Sequence, residues 1–337
     1  MMNKRVTIAD VAEEAGVSMM TVSRAINHKE GISEDTRLRI LEIAERLGYR
    51  PSGVARALAT NRSCSLGLVI PDVANPFFSQ IVRGAEDLAY DSGYNVFLVN
   101  TAEDTEREEA ALESLLEKHV DGVIWCSSRL PTESVNNYTD SFPFTVLINR
   151  EINTTQRNYA TINVDDSLGA QKAVSFFTAQ GHTKIGLIAG PEGSTSSQRR
   201  RTGYQKGLVE NNIAYRPELI INCKPRIESG YQATKQLLST YENISAILAY
   251  NDLVAFGVFQ ACEEIGKRIP EEISVIGFDD IPLASIVKPR LSTLRTDKRG
   301  LGRLAMKTLI QLIEGDEAVE RNITIQPTLI LRESTTR

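Results

Sequence analysis

The chain has 337 residues, 42% hydrophobic and 24% charged, a globular composition with length for two or three domains. No run approaches the roughly 20 consecutive apolar residues of a membrane span, and Met1-Met2-Asn3-Lys4-Arg5-Val6-Thr7 leads into a polar helix pattern instead of an apolar signal region. A cytoplasmic protein with no membrane contact is therefore expected. The net charge of −5 hides an uneven distribution: residues 1–62 carry 10 Lys/Arg against 8 Asp/Glu, and the remainder 28 against 35.

Thr7-Ile8-Ala9-Asp10 predicts a helix start, a Thr cap with an acid at the third helical position. Ile8, Val11, Ala12 and Ala15 share one face, and Gly16 ends that helix. Ser18 caps a second helix from Met19 to about Ile26, and Ser33 a third from about Glu34 to Leu47, stopped by Gly48. Only Gly16, Val17 and Ser18 separate the first two, so Gly16 must supply a left-handed residue for a sharp turn. Three short helices with a tight first turn predict a helix-turn-helix unit over residues 1–50. The outward residues of the second helix are Met19, Met20, Thr21, Ser23 and Arg24, followed by Asn27. With no acid among them, this face can enter a major groove. The bland alternative is a three-helix packing domain with an ordinary solvated face.

Residues 51–63 read as a hinge or linker. Pro51 breaks the preceding helix, Ser52 can cap, and 53–60 holds one or two helical turns too short to fold without a partner. The run Thr7-Ile8-Ala9-Asp10-Val11-Ala12-x-x-Ala15-Gly16-Val17-Ser18-x-x-Thr21-Val22-Ser23-Arg24-x-x-Asn27, then Tyr49-x-Pro51-Ser52-x-Val54-Ala55-Arg56-x-Leu58, closely resembles the lactose/galactose repressor family of bacteria. The similarity extends over essentially the whole chain. It implies that Met19, Met20 and Arg24 read bases and that Ser18, Thr21, Ser23 and Asn27 hold phosphates. It also puts Thr7, Tyr49, Ser52 and Ala55 in the DNA-binding set and makes Leu58 a minor-groove wedge in a hinge helix that folds on the operator. Two departures stand out: Met19 and Met20 offer apolar contacts, and Ala59 stands where some relatives carry a lysine.

From residue 64 onward, strand-like apolar runs alternate with amphipathic helices. Strands are expected at 66–70, 96–99, 122–125, 145–148, from about 159, and at 185–188, 219–221, 246–248 and 273–276. Helices are expected through 81–88 and at 104–118, 166–180, 197–211, 229–239 and 252–265, with a strand-helix-strand tail from Leu291. This alternation predicts parallel sheets covered on both faces. The fold expected is an all-α helix-turn-helix domain plus an α/β core of two doubly wound parallel-sheet subdomains. The subdomains are placed at 64–164 with 293–325 and at 165–292 with 326–337, around an effector cleft.

Ligands in such folds sit beyond the carboxyl ends of the strands. Those positions hold Asp72, Asn75, Phe77, Phe78, Asn149, Arg150, Ser194 to Ser197, Arg200, Asn251, Asp252, Asp279 and Asp280. Amides, carboxylates and arginine forks beside aromatic faces suit a polyhydroxylated ring. Taken singly, each has a bland reading as a helix cap or core staple. The resemblance implies sugar contacts for Arg200, Asn251 and Asp279, a stacking motif in Asn75-Pro76-Phe77-Phe78, and a periplasmic-binding-protein-like core. Asn149 departs from the Asp of many relatives. Arg150 and Arg295, with the loop 193–197, would instead favour an acidic or phosphorylated sugar.

The expected function is a transcriptional regulator, a repressor more than an activator. It would bind a palindromic DNA operator as a homodimer, under the control of a sugar, sugar acid or sugar phosphate. An alternative within the family uses a phosphorylated carrier protein as corepressor. A secreted solute-binding protein is opposed by the missing signal and by the N-terminal unit. An enzyme is opposed by the absence of a catalytic constellation, since Gly190-Pro191-Glu192-Gly193 lacks the dinucleotide-binding spacing and His182 reads as a turn residue. Cys64, Cys126, Cys223 and Cys262 are widely spaced, as are His28, His119 and His182, so neither a metal nor another cofactor is expected.

Overall fold

A computed structural model describes residues 6–27, 29–49, 62–152, 158–241 and 243–335, in two units that divide between Cys64 and Ser65. In the first unit, α1 (Ile8–Ala15), α2 (Met19–Ile26) and α3 (Glu34–Arg46) enclose Val11, Ala12, Ala15, Val22, Ala25, Ile40 and Ala44. The capping box forms: the Asp10 carboxylate accepts from the Thr7 backbone N–H at 2.7 Å, and the Thr7 side chain accepts from Asp10 N. Gly16 is left-handed at φ 65°, and Val17 N donates back to Ala12 O at 3.1 Å. Arg39 on α3 donates to Ala15 O at 3.1 Å, satisfying a carbonyl at the end of α1. The expected hinge residues Ser52, Ala55 and Leu58 lie outside the described residues.

The second unit contains two six-stranded sheets. The first, in the order β11-β5-β4-β3-β1-β2, comprises β1 (Ser65–Ile70), β2 (Asn95–Asn100), β3 (Gly122–Cys126), β4 (Thr145–Ile148), β5 (Tyr159–Val164) and β11 (Asn322–Ile325). All its pairings are parallel. The second runs β12-β10-β9-β8-β6-β7, from β6 (Ile185–Ala189), β7 (Ile220–Asn222), β8 (Ala246–Ala249), β9 (Ser274–Asp279), β10 (Ser292–Arg295) and β12 (Thr328–Ile330). Only its edge strand β12 pairs antiparallel. Central strands are buried from end to end, as in β3 and β8, which is why they lack a polar alternation.

The sheets are flanked by α4 (Pro76–Asp91), α5 (Thr105–Glu117), α6 (Thr132–Ser141), α7 (Asp166–Ala179), α8 (Thr195–Glu210), α9 (Ile227–Thr240), α10 (Asp252–Glu264) and α11 (Lys298–Glu314). Helix pairs cross through glycine. A Cβ on Gly302 of α11 would lie 2.0 Å from Ile81 O of α4, and one on Gly203 of α8 would lie 2.1 Å from Ser167 O of α7.

Two features differ from the sequence expectation. Helix α6 was not expected, because its sequence TESVNNYTDS has few apolar residues and several poor helix formers. The return to the first subdomain occurs after Arg295 rather than at 293, because β10 pairs with β9 in the second sheet. The tail then sends β11 to the first sheet and β12 to the second.

Candidate functional site

Each unit presents one candidate surface. On the helix-turn-helix unit it is the outer face of α2, where Met19 and Met20 are 56% and 66% exposed. Arg24 and Asn27 are exposed beside them, and α2 carries no acidic residue. Ser18 Oγ accepts from Thr21 N at 3.2 Å and bonds the Thr21 hydroxyl at 2.9 Å, which fixes the start of the helix. Asn27 Nδ2 donates to Ser23 O at 2.8 Å and bonds the Ser23 hydroxyl at 3.3 Å. Thr7 is occupied by its capping box, and Tyr49 packs half-buried against the core.

On the second unit it is a narrow cavity, open at its mouth, between the carboxyl ends of the two sheets. It is lined by Asn75, Phe77, Phe78, Glu103, Ser127, Arg129, Asn149, Ser196, Arg200, Pro225, Tyr250, Asn251 and Asp279. Eight of the expected residues meet here: Asn75, Phe77, Phe78, Asn149, Ser196, Arg200, Asn251 and Asp279.

Three of these are asparagines that share a design. Asn75 Oδ1 accepts from Phe77 N at 3.0 Å, Asn149 Oδ1 from Val164 N at 2.9 Å, and Asn251 Oδ1 from Val254 N at 2.9 Å. Each backbone N–H fixes which amide atom faces it, and each amide NH₂ has no protein partner among the described residues. Capping therefore does not exhaust these side chains: the oxygen organises the backbone and the nitrogen keeps its donors. Phe77 and Phe78 pack edge to face at 5.1 Å beside the asparagines.

The Arg200 guanidinium is almost fully engaged. Nε donates to Asp166 at 2.8 Å, Nη1 donates to Tyr250 O, and Nη2 lies 3.8 Å from Asp279. The Phe278 ring stacks on it at 4.0 Å. Burial works against its charge, but Asp166 and Asp279 outweigh that and hold its pKa above the ordinary arginine value. Burial pushes Asp279 up to about 6, against the pull of Arg200 and Lys298. On the opposite wall Arg129 pairs with Glu103 through two bonds of 2.6 and 3.1 Å.

The cavity rim is also where the backbone is strained. Ala102, Glu103, Ser127, Asn149, Asp279 and Asp280 all have φ between 48° and 102°. These residues follow β2, β3 and β4 or end β9, so left-handed turns aim their side chains across the strand ends.

Some expected residues lie elsewhere. Asp72 does not line the cavity; its carboxylate accepts from Ala74 N at 2.9 Å and shapes the turn before Asn75. Arg150 turns aside, donating to Leu130 O at 2.8 Å, Thr132 Oγ1 at 3.2 Å and Thr195 Oγ1 at 3.0 Å. It joins the segment after β4 to α8 across the cleft, as Arg199 does through Glu151 at 2.6 Å. Asp252 is fully buried, accepting from Thr293 Oγ1 at 2.6 Å and Ile281 N at 2.8 Å, and burial raises its carboxyl well above the usual range. Arg295 is half exposed and ion-paired with Asp280. Among the described residues neither Arg150, held by neutral oxygens, nor Arg295, paired with Asp280, lines the cavity. Glu103, Arg129 and Tyr250 were missed in sequence. The strand-end rule would have found the first two had it been applied to β2 and β3.

Comparison with known proteins gives a consistent result. Residues 7–52 match the family model described as bacterial regulatory proteins, lacI family, and residues 174–335 match that of a periplasmic binding protein-like domain. A ribose operon repressor of Halalkalibacterium halodurans is 35% identical over 98% of this chain and 97% of its own. A catabolite control protein A of Priestia megaterium is 34% identical over 98% and 99%. Among solved structures, the lac repressor dimer bound to operator and the anti-inducer ONPF aligns over 99% of this chain and 100% of its own, with 31% identity and a TM-score of 0.87.

Proposed function

The chain belongs to the lacI family of bacterial regulatory proteins, and from that premise we propose that it represses transcription as a homodimer on a palindromic operator, released or engaged by a small sugar or sugar-derivative effector in the cleft. It is a DNA-binding transcriptional regulator, and the relatives it matches are regulators, not enzymes. The observation that carries the proposal is the position of the cavity. Its walls come from both sheets, so an occupant contacts both subdomains and favours one closure of the cleft over another. The exposed, acid-free face of α2 supplies the DNA-reading surface. Met19 and Met20 would read bases by apolar contact with thymine methyls, and Arg24 by its guanidinium. Ser18, Thr21, Ser23 and Asn27 would hold phosphates at the helix margins.

Selection of duplexes from a randomised library by the full chain tests the DNA half of this reading. Recovery of inverted half-sites supports a two-fold dimer, and recovery of a single asymmetric site contradicts it. No observation on the cavity favours a protein corepressor.

A further inference from the structure

Glu103 and Arg129 lie outside the sugar contacts that the sequence pointed to, yet they form the most elaborately fixed part of the cavity wall. Arg129 Nε and Nη2 bond both Glu103 oxygens, and Nη1 donates to Ser127 O at 2.8 Å. The backbone N–H of Arg129 donates at 3.0 Å to Glu108, which also accepts from Trp125 Nε1 at 2.6 Å. Glu108 is itself buried, and burial raises its pKa above the usual value. From the other side, Glu103 is aimed inward by two successive left-handed residues, Ala102 and Glu103, at φ 55° and 62°. The chain from Trp125 through Glu108 and Arg129 to Glu103 leaves the pair little freedom to turn away.

The chemistry left over is specific. Of five guanidinium N–H groups on Arg129, three are taken by Glu103 and Ser127, and two remain to donate. Each Glu103 oxygen accepts one bond from Arg129 and keeps capacity for another. Two donors beside two acceptors complement neighbouring hydroxyls, each of which both donates and accepts. Charge points the same way. Arg129 is neutralised by Glu103, and Arg200 by Asp166 and Asp279, so neither arginine has charge to spare for an anion. A phosphate or carboxylate placed here would meet Glu103 with its counter-charge already used.

Resting on the reading of this cavity as the effector site, we infer that Glu103 and Arg129 form a specificity pair. They read a vicinal diol of a neutral sugar and reject its phosphorylated or acidic counterparts. Arg129 binds the diol oxygens while Glu103 accepts the hydroxyl protons and supplies the repulsion toward anions. Asn75, Asn149 and Asn251 add further donors around the same ring.

The test is calorimetric titration of the full chain with neutral aldopentoses and aldohexoses, D-ribose first, and with the phosphate ester of each. The expected result is that a neutral sugar binds and its phosphate binds at least about ten-fold more weakly, the factor one charge-assisted hydrogen bond supplies. Glu103→Gln should weaken the neutral sugar by about ten-fold and narrow or reverse the preference over the phosphate. Arg129→Lys, which keeps the charge and loses the fork, should weaken the neutral sugar without reversing that preference. Preference for a phosphate by the unaltered chain overturns the proposal. So does a ratio that Glu103→Gln leaves unchanged while Asp279→Asn weakens both ligands, a pattern that leaves the effector-site reading intact. Binding that neither Glu103→Gln nor Asp279→Asn alters, or no binding of any neutral sugar, overturns the effector-site reading together with the proposal.

Discussion

Asp279 shows how one buried carboxyl couples the cleft to pH. Burial raises it to about 6, above the roughly 3.9 of an unfolded aspartate, so the folded chain binds the proton more tightly. A raised acid of this kind subtracts stability where it is ionised, and that deficit is recovered as pH falls through about 6. Glu272 has the opposite sign. Hydrogen bonds from the Arg268 backbone and side chain hold it at about 2, so the stability it contributes is present above the ordinary glutamate value and lost on acidification toward about 2. Asp252 and Glu108, also raised by burial, act in the same sense as Asp279, so the melting temperature should rise along a neutral limb as pH is lowered through about 6 toward about 4, and fall again at lower pH. Asp279→Asn should make the neutral limb shallower and leave the acid limb in place, measured by thermal melts across this range. A neutral limb equally steep in the variant would show that Asp279 is not its source. The asparagines mark how far single residues were legible in the sequence. A helix cap and a ligand contact could not be separated there, because in Asn75 and Asn251 the cap uses only the amide oxygen and leaves the nitrogen able to donate elsewhere. Arg150 was misplaced because strand-end position fixes where a side chain starts, not which way a long one turns.

Among the elements, the periodicities located nearly every strand and helix, since buried parallel strands and capped amphipathic helices leave strong patterns. Helix α6 was the exception. It is held by tertiary burial of Val135 and Thr139 and not by its own propensity. The glycine crossings were equally hidden, because a glycine inside a helix pattern reads as a weakness until the partner helix is known. Gly84 and Gly302 let α4 and α11 meet backbone to backbone: a Cβ on Gly84 would lie 2.0 Å from Arg299 O. Gly302→Ala must push the helices apart and should cost about 1–3 kcal/mol, read as a lower urea midpoint with an unchanged slope. An unchanged midpoint would mean that the crossing is looser than the backbone distances require. The same joint supports the site, because Lys298 at the start of α11 donates to the carbonyls of Asp279 and Asp280.

At the scale of the whole molecule, the sequence revealed the two kinds of domain and the family, because a helix-turn-helix face and doubly wound sheets have distinct signatures. It did not reveal the ligand class. That depends on which arginines are already neutralised, and the pairings of Arg129 with Glu103 and Arg200 with Asp166 link positions 26 and 34 residues apart. Occupancy of the cleft is expected to change affinity for DNA. The most direct test is fluorescence anisotropy of the library-selected operator titrated with the full chain, with and without a saturating neutral sugar that binds the cavity. Operator affinity should change by at least about five-fold, the lower end of allosteric coupling, with Asp279→Asn shifting the sugar concentration required. Operator affinity that stays the same while calorimetry shows the cavity filled would contradict it.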